Sequence, residues 1–271
     1  MAERGVYVYG VAAAVAADDL PRGAGALGGR RPLKLVGEGS LVALTSEVEV
    51  SWLQEQLRAA ENGDLAALEP LVRAHETVLG RALDADALVP FRFGTIFSDE
   101  AEVRAFVAER ERQLEETLDR LTGAREWGVK ALLEPETAEA LATASDPQLA
   151  ELAARSASGS GSAFFARKRL EVEQAERLRQ VAAELAEECH ARLAVCAREA
   201  ALNAPQPPHL SGYEVPMILN GAYLVEREQE GDFRARLEQL REEYDDRGLT
   251  LELTGPWPAY NFVGATPAVV G

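Results

Sequence analysis

The chain has 271 residues, of which 47% are hydrophobic and 27% charged, and it carries a net charge of −17. This length and apolar content can supply the cores of two ordinary domains. A surface that binds phosphate needs clustered lysine and arginine, so the acidic balance argues against a nucleic-acid partner. The two cysteines, the lack of a membrane-length apolar run and the lack of a leader-like N-terminus predict a reducing, cytoplasmic setting.

The first third of the chain predicts a small sheet followed by two helices. Runs of β-branched and aromatic residues are typical of strands, and a glycine-bearing turn at 37–40 predicts a hairpin. Apolar residues then recur at helical spacing. The predicted elements are strands over 6–13, 33–36 and 41–45 and helices over 52–60 and 65–83.

Two short motifs in this region match functional patterns without the context that their chemistry needs. Residues 23–28 match the dinucleotide pattern G-x-G-x-x-G, but Arg30-Arg31-Pro32 follows where a helix should begin, which favours a flexible loop. His75-Glu76 begins the zinc motif H-E-x-x-H, but Leu79 stands where the second histidine is needed. We therefore interpret His75 as a polar residue at a helix edge.

The run Val89–Phe97 predicts the last strand of the first domain. Its Pro90 and Gly94 suit an edge or bulged strand better than a regular central one. Its only charge, Arg92, has two interpretations: a buried arginine needs a carboxylate partner, whereas an exposed one marks an edge that is available to a partner. The paired, structural arginine is the favoured interpretation.

A long amphipathic helix is predicted to follow this run. Ser98 is its predicted cap, and the acidic residues after it suit the positive end of the helix dipole. The apolar pattern continues from Asp99 to Leu121, and Gly123 is the predicted stop.

The second half begins with a predicted strand over 127–133, a short helix from Glu136 and a serine- and glycine-rich loop at 156–162. A long helix is then predicted over 163–203. It contains Cys189 and Cys196, which lie seven residues and hence about 10 Å apart along one face. One zinc ion cannot bridge that distance, so core cysteines are favoured over metal ligands.

The last part of the chain predicts a hairpin, a helix and a strand. Asn220-Gly221 suits a two-residue turn between strands over 214–219 and 222–228. A helix capped by Asp232 is predicted to reach about residue 246, and a strand over 249–254 follows. Counted from Trp127, the order is strand, helical insertion, strand, strand, helix, strand, which is the ferredoxin-like order.

Four stretches of the chain, taken together and in order, resemble the gas vesicle protein family GvpF/GvpL. The resemblance implies an α+β fold with an N-terminal α+β domain and a modified ferredoxin-like C-terminal domain, which we place at 1–122 and 123–271, with a long helical pair at about 136–203. It also implies a non-enzymatic accessory protein of gas vesicle assembly, associated with vesicles, with the shell protein GvpA and with other accessory proteins. The matching stretches are 7–11, His75-Glu76 with 89–97, 126–130 and 254–263.

The residues themselves predict no catalytic, cofactor or metal site, because the three histidines are scattered and neither metal spacing nor a phosphate loop occurs. The leading hypothesis is a binding protein that keeps the apolar shell subunit soluble or guides its addition to the growing wall. A minor structural component of the wall is the first alternative. A small-molecule enzyme is the second, since a ferredoxin-like fold does not determine a function.

The candidate partner-binding residues are Arg92, Trp257, Tyr260 and Phe262. In the favoured structural interpretation, the prolines of Gly255-Pro256-Trp257-Pro258 direct the chain out of the last strand and Trp257 packs against a domain face. In the functional interpretation, the three aromatic residues are exposed anchors for a partner, since aromatic side chains dominate interface energetics.

Overall fold

The computed structural model describes residues 4–23, 27, 31–62, 65–83, 85–156 and 163–264. The chain divides into two compact units: Met1–Glu126 together with Pro256–Gly271 form unit 1, and Trp127–Gly255 form unit 2. Both units combine helices with an antiparallel sheet, which confirms the α+β class. A compact unit is not by itself an independently folding domain, so the domain boundary that we place at residue 122 stays a prediction. The predicted loops at 23–28 and 156–162 lie largely outside the described residues.

The sheet of unit 1 is built around its first strand, whose β-branched and aromatic residues are buried on both faces. The strand order is β2-β3-β1-β4, and β5 also pairs with β1. The predicted first strand and hairpin are confirmed. The strands are β1 (Arg4–Ala13), β2 (Leu33–Glu38), β3 (Leu41–Glu49), β4 (Val89–Pro90) and β5 (Ile96–Phe97).

Four helices accompany this sheet, and the first two confirm the predicted helical pair. The inward stripe of the second helix includes Leu71, Val78 and Ala82, which are buried in the core of unit 1. The helices are α1 (Val50–Glu61), α2 (Leu65–Ala82), α3 (Glu100–Glu109) and α4 (Glu111–Leu121).

The prediction of one strand over Val89–Phe97 is wrong, because β4 and β5 are separate two-residue strands. Pro90 lies opposite Gly10, and Ile96 lies opposite Tyr7. From Pro90 to Ile96 the chain advances six residues, whereas β1 advances three residues from Tyr7 to Gly10. The extra residues must therefore loop away from the sheet. Gly94, with a φ of 88°, allows this turn.

The predicted helix over 99–121 is also wrong in two details. The structure has two helices that meet at Arg110. The positions at which the apolar stripe would continue are occupied there by the charged residues Arg110 and Glu111. The cap of α3 is Asp99 and not Ser98, because a carboxylate oxygen of Asp99 accepts the Glu102 N–H at 2.9 Å. Glu102 also reaches back past the cap, where its carboxylate accepts the Ser98 N–H at 2.7 Å.

Unit 2 has the strand order β7-β8-β6-β9 and the element order strand, helices, strand, strand, helix, strand. This agrees with the predicted ferredoxin-like order. Its strands are β6 (Ala124–Leu133), β7 (Glu199–Leu202), β8 (Met217–Glu226) and β9 (Leu249–Trp257), of which the start of β6 and the end of β9 belong to unit 1. Its helices are α5 (Pro135–Ser145), α6 (Pro147–Ser156), α7 (Ala163–Ala194), α8 (Pro208–Ser211) and α9 (Glu230–Tyr244).

The order was right although two predicted elements were wrong. The predicted hairpin turn at Asn220-Gly221 is wrong, because β8 runs straight through this pair and Gly221 lies opposite Leu202 in β7. The strand β7 comes from residues that were predicted to continue the long helix, which ends at Ala194. Pairing with β8 therefore overrides the helical pattern of residues 199–202.

The remaining elements of unit 2 follow the sequence closely. The predicted inner face of α9 is buried, but the helix begins at Glu230, before the predicted cap Asp232. Gly248, with a φ of 66°, ends the turn that follows α9, as predicted. The strand β9 continues past Thr254 to Trp257, so Pro256 lies within the strand and does not end it.

Candidate functional site

A buried chain of hydrogen bonds in unit 1 is centred on His75. The side chain of His75 is fully buried, so the interpretation as a polar residue at a helix edge is wrong. Its Nδ1 lies 2.8 Å from the hydroxyl oxygen of Tyr7, and its Nε2 lies 2.9 Å from that of Tyr260. Both ring nitrogens are thus bonded to phenols.

The single proton of each phenol determines the direction of this chain. The hydroxyl of Tyr260 donates to Glu76 at 3.2 Å, so it accepts from Nε2–H of His75. Burial keeps the imidazole neutral, so with Nε2 protonated its Nδ1 accepts from the hydroxyl of Tyr7, whose oxygen in turn accepts the Gly94 N–H at 3.0 Å. The protons all point towards Glu76.

Aromatic rings close this site to water. The ring of Tyr9 stacks on His75 with centroids 5.6 Å apart, and Phe93 approaches His75 edge-on at 5.7 Å. Burial lowers the pKa of His75 to about 4, which keeps the imidazole neutral. Burial also raises the pKa of the Tyr7 and Tyr260 hydroxyls, so both remain protonated donors.

A buried carboxylate, that of Glu126, holds the C-terminal segment, which we define as residues 258–263. Glu126 is only 4% exposed, and it accepts from the backbone N–H of Asn261 at 3.0 Å and from its side-chain amide at 2.6 Å. Burial raises the pKa of Glu126 to about 7, against the opposing effect of these two hydrogen bonds. Arg120 donates to the carbonyl of Phe262 at 2.7 Å. The segment is therefore tied to unit 1 at three consecutive residues.

The four predicted partner-binding residues differ in exposure. Arg92 is exposed and forms no ion pair with a described carboxylate, so the favoured interpretation of a paired arginine is wrong. Trp257 is 46% exposed, so its side chain is partly packed and partly open to solvent, between the two interpretations. Tyr260 is half-buried beside His75, and Phe262 is buried, so neither is a freely exposed anchor. Partner binding by these residues stays a prediction.

A shallow depression on the outward face of α2 was not predicted. Leu68, Val72 and Glu76 follow one another at intervals of four residues and line it together with Glu69 and Arg73. Its volume is about 420 Å³, and it is open to solvent. The sequence contains a signal for it, because the apolar residues Leu68 and Val72 of α2 are additional to the inward stripe that packs in the core.

Three further features of the described residues bear on the class of site that they can form. No cluster of three or more described His, Cys, Asp or Glu side chains could hold a metal ion. The two cysteines are free thiols, Cys189 buried and Cys196 half-buried. None of the described helices is both long enough and apolar enough to span a membrane.

The stretches on which the family resemblance rests converge in this one network. Distant parts of the chain, from the first strand to the C-terminal segment, each contribute side chains to it. In this structure these residues serve one task, the attachment of the C-terminal segment. The contributing residues are Tyr7, Tyr9, His75, Glu76, Phe93, Gly94, Glu126, Tyr260 and Asn261.

Comparison with known proteins assigns the family. The family model described as "Gas vesicle synthesis protein GvpL/GvpF" matches residues 5–264. Gas vesicle protein L of a Streptomyces species is 34% identical over 90% of this chain and 88% of its own length. Gas vesicle protein F of the same species is 30% identical over 95% of this chain and 98% of its own.

A solved structure has the same fold. The crystal structure of gas vesicle protein GvpF from Anabaena sp. PCC7120 covers 97% of this chain and 99% of its own, with a TM-score of 0.75 and 19% identity. The sequence match extends over nearly the whole chain and includes every part of the His75 network. The chain therefore belongs to the GvpL/GvpF family of gas vesicle synthesis proteins.

Proposed function

We propose that the chain is a non-enzymatic accessory protein of gas vesicle assembly that binds the hydrophobic shell protein GvpA and other accessory gas vesicle proteins. In this role it keeps the shell subunit soluble or guides its addition to the growing wall. Family membership supports the general role. The exposed aromatic side chain of Trp257, on a protein with a net charge of −17, is the observation that favours protein binding.

The burial of His75, whose ring nitrogens are both hydrogen-bonded, supports a binding role over an enzymatic one. Both imidazole nitrogens are occupied by phenols, and the aromatic rings of Tyr9 and Phe93 pack on the imidazole. A substrate would have to displace these rings before it reached a reactive group. The depression on α2, by contrast, is shallow and apolar, which suits a protein partner better than a small molecule.

Pull-down of co-expressed shell protein by the tagged full-length chain tests this proposal. Trp257→Ala is expected to reduce the recovered shell protein several-fold, and a thermal melt that still shows a cooperative transition would establish that the variant is folded. Val195→Ala is the matched control, because Val195 is 79% exposed in unit 2. A wild-type chain that recovers no shell protein would refute the proposal.

A role as a minor component of the vesicle wall is the alternative. Fractionation of washed vesicles separates the two roles, because an assembly factor should be absent from the washed wall. A stoichiometric presence there would favour the structural role.

A further inference from the structure

The outward face of α2 has the geometry of a docking stripe. Leu68, Val72 and Glu76 lie at positions i, i+4 and i+8 of the helix, so they form a row about 12 Å long at about 1.5 Å per residue. Leu68 and Val72 are half-buried, and the walls of the depression between them are mainly apolar. The row is therefore distinct from the inward stripe of α2, which packs into the core of unit 1.

The carboxylate at the end of this row lacks a counter-ion. Glu76 is half-buried, and its carboxylate accepts a hydrogen bond from the neutral hydroxyl of Tyr260. No described lysine or arginine forms an ion pair with it; the nearby Arg73 pairs with Glu69 at 2.6 Å. Burial raises the pKa of Glu76, because a partly desolvated carboxylate is costly without a cation.

A cation from outside would offset this cost. An arriving lysine or arginine would pair with Glu76 in a site that the apolar walls partly shield from water, where such a pair is stronger than on an open surface. Aliphatic side chains one and two turns away on the same partner helix would cover Val72 and Leu68. The spacing of the row matches the spacing with which an amphipathic helix presents its anchors.

We propose that the shell protein docks on this stripe through an amphipathic helix that presents one lysine or arginine beside two aliphatic residues. The inference rests on the proposed function, since it takes the shell protein as the partner. A second copy of the chain is a poorer occupant, because two proteins of net charge −17 repel each other.

Two pairs of variants test the stripe in the co-expression pull-down. Val72→Asp places a charge inside the depression and is expected to reduce recovered shell protein at least tenfold, whereas Ala66→Asp places the same charge on the same helix outside the depression and should change recovery less than twofold. Glu76→Gln should reduce recovery several-fold and weaken its dependence on salt, because it removes the partner of the incoming cation. Glu55→Gln, on the exposed face of α1, is its control.

The outcomes separate this inference from the proposed function. If the wild-type chain recovers no shell protein, the proposed function itself fails. If the wild-type chain does recover it and Val72→Asp recovers as much as Ala66→Asp, the docking stripe is wrong while the function stands. Thermal melts of all four variants confirm that each one is folded.

Discussion

Replacement of Glu126 by glutamine should make unit 1 more stable at neutral and alkaline pH. The carboxylate of Glu126 is buried and bonded only to neutral donors of Asn261. A glutamine can preserve both hydrogen bonds if the Asn261 side-chain amide turns, so that its oxygen accepts from the new amide while the Asn261 N–H still donates to the new carbonyl. The substitution thus removes a buried charge and keeps the local geometry.

The pKa of Glu126 sets the size and sign of the effect. Burial raises that pKa from 4.5 to about 7. Between these values the folded protein binds a proton that the unfolded chain does not bind, so the wild-type stability falls as the pH rises through this window. A difference of this size corresponds to about 3 kcal/mol, at about 1.4 kcal/mol for each pH unit.

His75 acts in the opposite direction and must be separated from Glu126. Burial lowers the pKa of His75 from 6.5 to about 4, so the unfolded chain binds the extra proton and stability rises with pH over that range. In the wild-type protein the two slopes largely cancel. Because His75 is present in both proteins, its contribution cancels in the difference between Glu126→Gln and wild type.

Urea unfolding of both proteins at several pH values between about 5 and 8 measures the difference in their free energies of unfolding. The relevant transition is that of unit 1, which contains Glu126. The stability of Glu126→Gln relative to wild type should increase by about 2.5 kcal/mol from the lowest pH to the highest, because part of the window near pH 4.5 lies below this range. The charged groups that also contact the C-terminal segment, Glu76 and Arg120, are the same in both proteins. A difference that does not change with pH would refute the assignment of the raised pKa to Glu126.

Two further predictions test the network and the backbone. Tyr260→Phe leaves the Nε2–H of buried His75 without its acceptor and should cost about 1–3 kcal/mol in urea unfolding; an unchanged midpoint would show that the bond contributes nothing. Gly248→Ala should destabilise the protein by more than about 1 kcal/mol, because its φ is 66° and the added Cβ would lie 2.6 Å from Thr137. Gly80→Ala, at an open helical position, should instead stabilise it by about 0.5–1 kcal/mol, and melts that move in the same direction for both variants would contradict this reasoning.

The elements that depend on local cues could be predicted from the sequence. Glycine at the end of a helix and periodic apolar residues act over a few positions, so α2, α9 and the stop at Gly248 were correct. The strand β7 could not be found in this way, because it is formed by pairing with β8, which comes later in the chain. The Asn220-Gly221 pair favours a turn in isolation, but inclusion in a long central strand satisfies more backbone hydrogen bonds.

The candidate site was only partly predictable for a similar reason. The sequence pointed to Tyr260 and to the stretch around Arg92, but the environment of each depends on residues far away in the chain. His75 and Tyr260 are bonded across 185 positions. A single sequence contains no signal of that pairing, whereas the outward row on α2 was visible as an excess of apolar positions.

Unit 1 is completed by residues that follow unit 2 in the chain, and this sets an order of events during synthesis. At roughly 5–20 residues per second, translation of Trp127–Gly255 takes on the order of 10 s. During that time His75 lacks its hydrogen-bond partner Tyr260, and Glu126 lacks its partner Asn261. A nascent chain that ends before the C-terminal segment, or a recombinant fragment such as 1–122, therefore contains a first unit in which His75 lacks its hydrogen bond to Tyr260.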